Sequence, residues 1–223
     1  MRLLVTTRAD DSIKELCDVT HPILREYAER CGADFSTLSH DPPFMTDDDH
    51  PHFRILKVKE LLEDYDRVLV LDSDMVIMPN CPNLFEVVPY DKIGSIYEDK
   101  GSRQLARRRT IGEVQMFFHD IGWRQDYINT GTFLVSQIHE EIFDPYQGKY
   151  WTGWGSDDVH FGFQLNRLGM EVHELPFQYN HMSMFSEAWN YQADPLDSYI
   201  IHFAGKPMPQ RLESIKAVLR RIR

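Results

Sequence analysis

The sequence predicts an α/β fold in which helices flank a mostly parallel central sheet. Three observations lead to this fold class: strand-like apolar runs alternate with helical spacing from the first residues onward, one run is continuously apolar, and acidic residues follow directly at its end. A strand that is apolar on both faces is typical of a parallel sheet covered by helices. The 223 residues suit one Rossmann-like domain spanning 1–223.

The first elements follow one another closely. Residues 2–7 (RLLVTT) are expected to form a strand, and residues 10–35 have apolar side chains at steps of three and four, which predicts helix. Within that region Pro22 is expected to begin a new helical segment, and Gly32 is a stop signal. A polar, acidic loop leads from there to FRILKVKELLEDY (53–65), which again has helical spacing.

The remaining elements continue the alternation. RVLVLDSD (67–74) is the continuously apolar strand with its acidic end, and IGSIYED (93–99) and INTGTFLVS (128–136) are further strands. DDVHFGFQLNRLGM (157–170) has the spacing of a helix, and SYIIHFAG (198–205) is a late strand.

Charge and composition exclude several classes of function. The formal net charge of −11 argues against a general nucleic-acid surface. Three cysteines without a CxxC spacing indicate neither a disulfide framework nor a zinc site. No apolar run approaches the roughly 20 residues of a membrane span, and the N-terminus lacks the apolar length of a signal peptide. A cytoplasmic location is therefore expected.

The acidic end of the apolar strand is the most informative feature. Asp72 and Asp74 flank Ser73, and residues two apart in an extended chain point the same way. Ligands of open α/β sheets bind beyond the carboxyl ends of the strands. Two carboxylates that converge there repel each other unless a cation lies between them, and their hard oxygens suit Mg²⁺ or Mn²⁺. The alternative is a polar strand end that simply faces water.

The acidic pair alone is compatible with two enzyme classes. DSDMV resembles the first motif of haloacid-dehalogenase-like phosphatases, in which Asp72 would be the nucleophile. The pair also resembles the DxD of nucleotide-sugar glycosyltransferases with the GT-A fold. A carbohydrate- or cation-binding module without catalytic activity is a third possibility. Against the phosphatase, a full β-α-β unit precedes the pair, whereas the phosphatase motif lies near the start of its domain.

Four segments in order resemble the glycogenin-like (family 8) GT-A transferases. They are DYDRVLVLDSDMVIMPN (64–80), YINTGTFLVS (127–136), GWGSDDVHF (153–161) and IIHFAGKP (200–207). The match departs from the family at two places, since the last motif lacks a spacer and a Trp, and the acidic loop reads Asp-Asp instead of Asp-Gln. The chain is therefore similar to a small, divergent branch that resembles viral and bacterial GT-A domains.

The resemblance implies an activity and a set of ligands. It implies transfer of a sugar from a nucleotide diphosphate sugar, with a UDP-sugar favoured, to a saccharide or other hydroxyl acceptor. It also implies Mn²⁺ (or Mg²⁺) as cofactor and retention of the anomeric configuration. The metal ligands would be Asp72, Asp74 and His202, although a lone His in an apolar strand is more often a core residue.

The same resemblance, together with residue chemistry, suggests the rest of the site. The candidate catalytic residues are Asn129, Asp157 and Asp158, and the candidate donor-binding residues are Thr6, Thr7, Arg8, Asp34, Lys57, Asp72, Ser73, Gly131, Gly205 and Lys206. Structural alternatives exist for several of them. Asn129 would stabilise a β-bulge, Asp157 and Asp158 would favour the dipole of a helix capped by Ser156, and Lys57 would lie on a solvated helix face.

Two further segments carry weaker hypotheses. Trp154 could stack on a sugar ring, and the basic run RQLARRR (103–109) could be a mobile loop that closes over the donor. The aromatic and Met-rich segment NHMSMFSEAWN (180–190) could form a wall for the sugar or the acceptor, although a core segment is the simpler interpretation.

Overall fold

The computed structural model describes residues 1–42 and 51–222, so most of the polar, acidic loop before FRILKVKELLEDY lies outside the described residues. The strands are β1 (Leu3–Arg8), β2 (Asp34–Leu38), β3 (Arg67–Leu71), β4 (Met75–Ile77), β5 (Ile93–Tyr97), β6 (Ile128–Ser136), β7 (Val172–Glu174) and β8 (Ile200–His202). The helices are α1 (Lys14–Arg30), α2 (Val58–Leu61), α3 (Leu84–Val87), α4 (Gln104–Phe117), α5 (Ser156–Leu168) and α6 (Met208–Ile222), and short 3-10 turns connect them.

Six strands form the central sheet in the order β2-β1-β3-β6-β5-β7. The pairs β1–β2, β1–β3 and β5–β7 are parallel, whereas β6 runs antiparallel to both of its neighbours. The predicted mostly parallel α/β sheet is confirmed. The antiparallel strand β6 brings the NTG sequence to the same edge of the sheet as the end of β3.

Alternation along β3 explains why its sequence is apolar throughout. Val68 and Val70 pack into a core cluster on one face of the sheet, and Leu69 and Leu71 pack into a second cluster on the other face. All four side chains are fully buried. Burial on both faces is the condition under which a strand loses its polar side, as expected for a central strand.

Helix α1 differs from its prediction at one residue. It runs unbroken from Lys14 to Arg30 with Pro22 inside it, so the expectation that Pro22 begins a new segment was wrong. Buried residues Leu16 and Leu24 lie on one stripe on either side of the proline, and their packing holds the helix together across it. Gly32 follows the helix with φ +67°, the left-handed conformation expected of a helix stop.

Two other segments also depart from their predictions. FRILKVKELLEDY forms mostly a 3-10 turn (Pro51–Lys57) with only the short α2 after it, since consecutive residues from Phe53 to Leu56 are all buried and leave no single apolar stripe. The basic run is not a loop, because residues from Gln104 onward form α4. None of the helices in the described part of the chain has both the length and the apolar character that a membrane span requires.

A small second sheet completes the edge beyond β3. Strand β4 follows the acidic pair and runs antiparallel to β8, with Met75 opposite His202. A backbone hydrogen bond from the Phe203 N–H to the Asp74 carbonyl (3.1 Å) continues this pairing. The ladder brings the late HFAG sequence directly beside the acidic pair, which is distant from it in the chain.

Candidate active site

A cleft of about 690 Å³ opens at the edge of the sheet where β1 and β3 end. This is the position at which open α/β sheets bind their ligands. Most of the site residues predicted from the sequence line the cleft: Arg8, Asp72, Ser73, Asp74, Asn129, Gly131, Asp157, Asp158, His202 and Gly205. Trp154 lies at the same cleft and is 59% exposed.

Five predicted donor-binding residues lie elsewhere. Thr6 and Thr7 are buried in β1, where Thr6 shares a hydrogen bond with Ser36 and Thr7 bonds the Ser73 hydroxyl (2.8 Å) beneath the cleft. The other three do not line the cleft. Asp34 is exposed at the start of β2, at the opposite edge of the sheet, and accepts from the Tyr65 hydroxyl.

The two lysines are also not among the residues that line the cleft. Lys57 is half-buried at the end of the 3-10 turn Pro51–Lys57. The Lys206 ammonium donates to the Ser214 hydroxyl on α6 at 3.1 Å. Their donor-binding roles stay predictions.

Asp72, Asp74 and His202 converge at the floor of the cleft. The His202 Nε2 atom lies 3.1 Å from Asp74 Oδ1 and 3.5 Å from Asp72 Oδ2. One ligand atom from each residue falls within 4.8 Å of the others. Burial works to lower the pKa of His202, but the two carboxylates raise it above its usual value. Two carboxylate oxygens and one imidazole nitrogen at this spacing form a ligand set that could hold a divalent metal.

Gly131 keeps this cluster compact. A methyl group at its Cα would come within 2.8 Å of Asn129 Oδ1, 2.8 Å of His202 Cε1 and 2.9 Å of Asp72 Oδ2. Real side chains do not approach their neighbours so closely, so only glycine fits between the strand and these side chains. The backbone also takes part, because the Asp72 N–H donates to the Gly131 carbonyl (2.9 Å).

Arg8 joins the acidic pair to the second acidic motif. Its guanidinium makes ion pairs with both Asp72 and Asp157, and its side chain is 6% exposed. Burial acts to lower the pKa of Arg8, yet the two carboxylates raise it above its usual value. In return, Arg8 holds the pKa of Asp72 and of Asp157 below the ordinary range, against the effect of burial. Both carboxylates are therefore ionised near neutral pH.

The second acidic motif lies at the start of α5. The helix begins at Ser156 with Gly155 before it, so Ser156 is the first helical residue and not the cap that its sequence suggests. Thr130 donates from its hydroxyl to Asp157 (2.7 Å) and from its backbone N–H to Asp158 (2.7 Å). Burial, together with Asp157 and Glu98, raises the pKa of Asp158 well above its usual value. The two neighbours thus differ, with Asp157 ionised and Asp158 inclined to keep its proton.

No family model matches this sequence, and no curated protein matches it. Solved structures do match. A glycosyltransferase involved in glycosylation of the major capsid of PBCV-1 aligns with a TM-score of 0.65 at 15% identity, covering 97% of this chain and 100% of that one. The galactosyltransferase LgtC gives 0.59 at 14% identity, with 96% and 95% covered. The bifunctional glycosyltransferase WbbM aligns with a TM-score of 0.61 at 14% identity, and the alignment covers 100% of this chain and 52% of that one.

The chain has the GT-A fold. Its structural neighbours named above are glycosyltransferases, and identities of this size show the fold alone. The GT-A fold predicted by the motifs is confirmed, whereas membership of family 8 stays a prediction.

The cleft also contains several residues that were not predicted from the sequence. Glu98 is 1% exposed and forms ion pairs with Arg103, directly before α4, and with Arg107 in its first turn. These contacts anchor the basic run, so the mobile-loop hypothesis was wrong. Arg107 also lies over the Trp154 ring at 4.2 Å and lines the cleft beside it. An acidic residue five positions before the basic run would have been the sequence signal for this arrangement.

Two more such residues come from late segments of the chain. Asn180 is fully buried and donates to Asn129 Oδ1 (2.8 Å), so the segment 180–190 contributes a polar residue behind the site. Its Met182 side chain lines the cleft. Arg211, from α6, lines the cleft and lies 3.3 Å from Asp74 Oδ2. Neither Asn180 nor Arg211 stands in a motif, and only the folded chain brings them near the acidic pair.

Proposed function

We propose that this chain is a metal-dependent glycosyltransferase that moves a sugar from a nucleotide diphosphate sugar to the hydroxyl of a saccharide or other acceptor. A UDP-sugar is the favoured donor. One observation carries the proposal. Asp72 and Asp74 meet His202, which is far from them in the sequence, in the cleft at the carboxyl edge of a GT-A sheet. The phosphatase alternative has no comparable support, because the solved structures that match this fold are glycosyltransferases.

The three ligands would hold Mn²⁺, or Mg²⁺, through two oxygens and one nitrogen. Such a cation neutralises the charge that develops on a departing diphosphate. The chain adds positive charge of its own beside it. Arg211 faces the cleft next to Asp74, and Gly205 (φ +78°) lines the same part of it, where its backbone can approach a phosphate closely.

The sugar of the donor would lie towards α5. Asp158 is more exposed to the cleft than Asp157 and is inclined to keep its proton, so it can donate to a sugar oxygen. Asp157, which is held ionised by Arg8, fixes the orientation of that arginine and of Thr130. Trp154 offers an exposed ring at the outer end of the cleft for stacking on the sugar or the acceptor.

Asn129 takes a different part from the one its motif suggests. Its amide oxygen accepts from Gly131 N–H (3.1 Å) and from Asn180, and its amide nitrogen donates to Glu98 (2.9 Å). Both ends of the amide are thus occupied within the protein. We therefore assign Asn129 to positioning the site and not to contact with the sugar.

Retention of the anomeric configuration is part of the proposal. An inverting enzyme needs a carboxylate that is free to deprotonate the acceptor. The carboxylates at the centre of the described cleft already have partners: Asp72 and Asp157 bond Arg8, Asp74 lies against His202, and Asp158 accepts from Thr130. This pattern favours a retaining reaction over one with a dedicated base.

A thermal-shift screen of UDP-, GDP- and TDP-sugars tests the proposal, with each ligand measured in Mn²⁺ and in EDTA. The largest rise in melting temperature is expected for a UDP-sugar with Mn²⁺, and NMR of the first product should show a retained anomeric configuration. Turnover of an aryl phosphate without nucleotide binding would instead support a phosphatase. Binding of saccharide alone would support a carbohydrate-binding module, and an inverted product would refute retention.

A further inference from the structure

A chain of buried hydrogen bonds runs from His202 away from the cleft. The Nδ1 atom of His202 lies 2.8 Å from Asn180 Oδ1, Asn180 Nδ2 donates to Asn129 Oδ1 (2.8 Å), and Asn129 Nδ2 donates to Glu98 Oε2 (2.9 Å). All four side chains are at most 8% exposed. The chain ends at the ion pairs of Glu98 with Arg103 and Arg107. We refer to Asn180, Asn129 and Glu98 as the amide relay.

The direction of every bond in the amide relay is determined from its far end. Glu98 between two guanidinium groups is an ionised carboxylate, which can only accept. Asn129 must therefore turn its NH₂ group to Glu98 and its oxygen to the other side. The Gly131 N–H, which can only donate, requires the same orientation of Asn129. The Asn129 amide is thus fixed independently by two neighbours.

The remaining bonds follow from that orientation. Because Asn129 presents an oxygen to Asn180, Asn180 must present its NH₂ group in return and direct its own oxygen towards His202. An oxygen at this place accepts, so His202 Nδ1 must carry a proton. The lone pair needed for a metal is then left on Nε2, the atom that faces Asp72 and Asp74.

We propose that Asn180 is a positioning residue which, through Asn129 and Glu98, sets the tautomer and the ring orientation of His202 for metal binding. The inference rests on the proposed metal site and adds to it the residues that prepare the ligand. A histidine ligand in a metal site commonly donates its second N–H to an oxygen acceptor, and loss of that acceptor costs about 10–100-fold in metal affinity.

Mn²⁺ affinity, measured from the EPR signal of the free aqua ion, tests the role of Asn180. Asn180→Leu keeps the branched shape of the side chain but has no acceptor, and its dissociation constant should rise by about 10–100-fold. Asn180→Asp keeps an oxygen towards Nδ1, and its affinity should stay within a few-fold of the wild type or exceed it. Equal affinities of the wild type and a folded Asn180→Leu protein would overturn the proposal.

A second pair of variants tests the relay at a distance from the metal. Residue 98 contacts neither His202 nor Asn180. In Glu98→Gln the new amide must direct its NH₂ group either to the two arginines or to Asn129. The second choice places the new NH₂ group against that of Asn129, whose orientation Gly131 also fixes, and so breaks the relay at its far end. We expect Mn²⁺ affinity to fall by roughly tenfold. Asp99→Asn is the matched control, since Asp99 is also buried and paired with an arginine, Arg108, but makes no bond to the relay.

The control should change the affinity far less than Glu98→Gln. Equal losses in both variants would mean that only charge matters, and the relay would be refuted. These variants also keep the test informative if Asn180→Leu does not fold.

The NMR spectrum of the Co²⁺-loaded protein supplies a direct signature of the hydrogen bond. A histidine bound through Nε2 shows a shifted, exchangeable Nδ1–H signal, and its exchange with water is slow when the proton is held by an acceptor. We expect a slowly exchanging signal in the wild type and a rapidly exchanging one in Asn180→Leu. Rapid exchange in both would refute the role of Asn180 while leaving the proposed function intact. A wild type that binds neither Mn²⁺ nor Co²⁺ would overturn both.

Discussion

Removal of the Arg8 charge should destabilise the metal-free protein strongly, and Mn²⁺ should reverse part of that loss. Arg8→Met keeps the length of the side chain but leaves Asp72 and Asp157 without their shared cation, at side-chain exposures of 19% and 6%. Removing one partner of a buried ion pair lowers the free energy of unfolding by about 3–5 kcal/mol. This is a large share of a typical stability of roughly 5–15 kcal/mol.

The metal enters because Asp72 is both a partner of Arg8 and a proposed ligand. With Mn²⁺ at about 100 times its dissociation constant, binding adds about 2.7 kcal/mol to the stability of the wild type. In Arg8→Met the cation no longer competes with the guanidinium for Asp72, so Mn²⁺ should bind more tightly and add more. The deficit of the variant should therefore be smaller in Mn²⁺ than in EDTA.

Low pH should also reduce the difference in unfolding free energy between the wild type and Arg8→Met. Because Arg8 lowers the pKa of Asp72 and of Asp157, their contribution to stability is present above the unfolded pKa of about 4 and is lost as the pH falls below it. The variant lacks this contribution from the outset. The difference in unfolding free energy between the two proteins should thus be largest near pH 7 and shrink towards pH 3.

Urea unfolding in EDTA and in Mn²⁺ measures both effects, with Arg54→Met as the control. Arg54 is similarly buried, but its partners Asp10 and Asp41 are 30% and 55% exposed and are not proposed metal ligands. Its loss should cost less and should not respond to Mn²⁺. An Arg8→Met protein as stable as the wild type, or one whose deficit is the same in EDTA and Mn²⁺, would refute this account of Arg8.

Three further predictions address the glycine, a buried histidine and the exposed tryptophan. Gly131→Ala should weaken Mn²⁺ binding at least tenfold in a titration, because its methyl group would displace the ligands, whereas Gly112→Ala has open space and should leave the affinity unchanged. Burial lowers the pKa of His160 to about 4, so the wild type should lose stability as the pH falls from 6.5 to 4, by at most on the order of 3 kcal/mol. A His160→Gln protein should not show this loss. Urea unfolding that shows the same pH dependence for both proteins would contradict the prediction. Trp154→Ala should raise the KM for a saccharide severalfold with little change in stability, and an unchanged KM would remove stacking from the proposal.

Local patterns in the sequence were enough for the main elements and for the acidic pair. The apolar run of β3 predicts a strand buried on both faces, and the polar residues at its end predict the edge that carries the cleft. The position of His202 was predicted by resemblance, and its physical cause is the β4–β8 ladder, which no local pattern reveals.

The sequence did not predict the contacts that organise the cleft. Arg8 was expected to meet a nucleotide, yet in the fold it bridges two carboxylates that come from distant segments. Asn180 and Glu98 lack any motif, because their roles depend on neighbours supplied by other strands. Long-range electrostatic pairing and amide orientation arise only once the chain is folded, whereas periodicity and turn residues act locally.

Calorimetric titration of UDP into the wild type and into His202→Ala, in Mn²⁺ and in EDTA, tests the central claim most directly. The wild type should bind UDP in Mn²⁺ and lose most of that affinity in EDTA, because the diphosphate needs the cation held by Asp72, Asp74 and His202. The folded variant should bind UDP weakly under both conditions. UDP binding that is equally tight with and without Mn²⁺, or unchanged in His202→Ala, would contradict the proposed metal-dependent site.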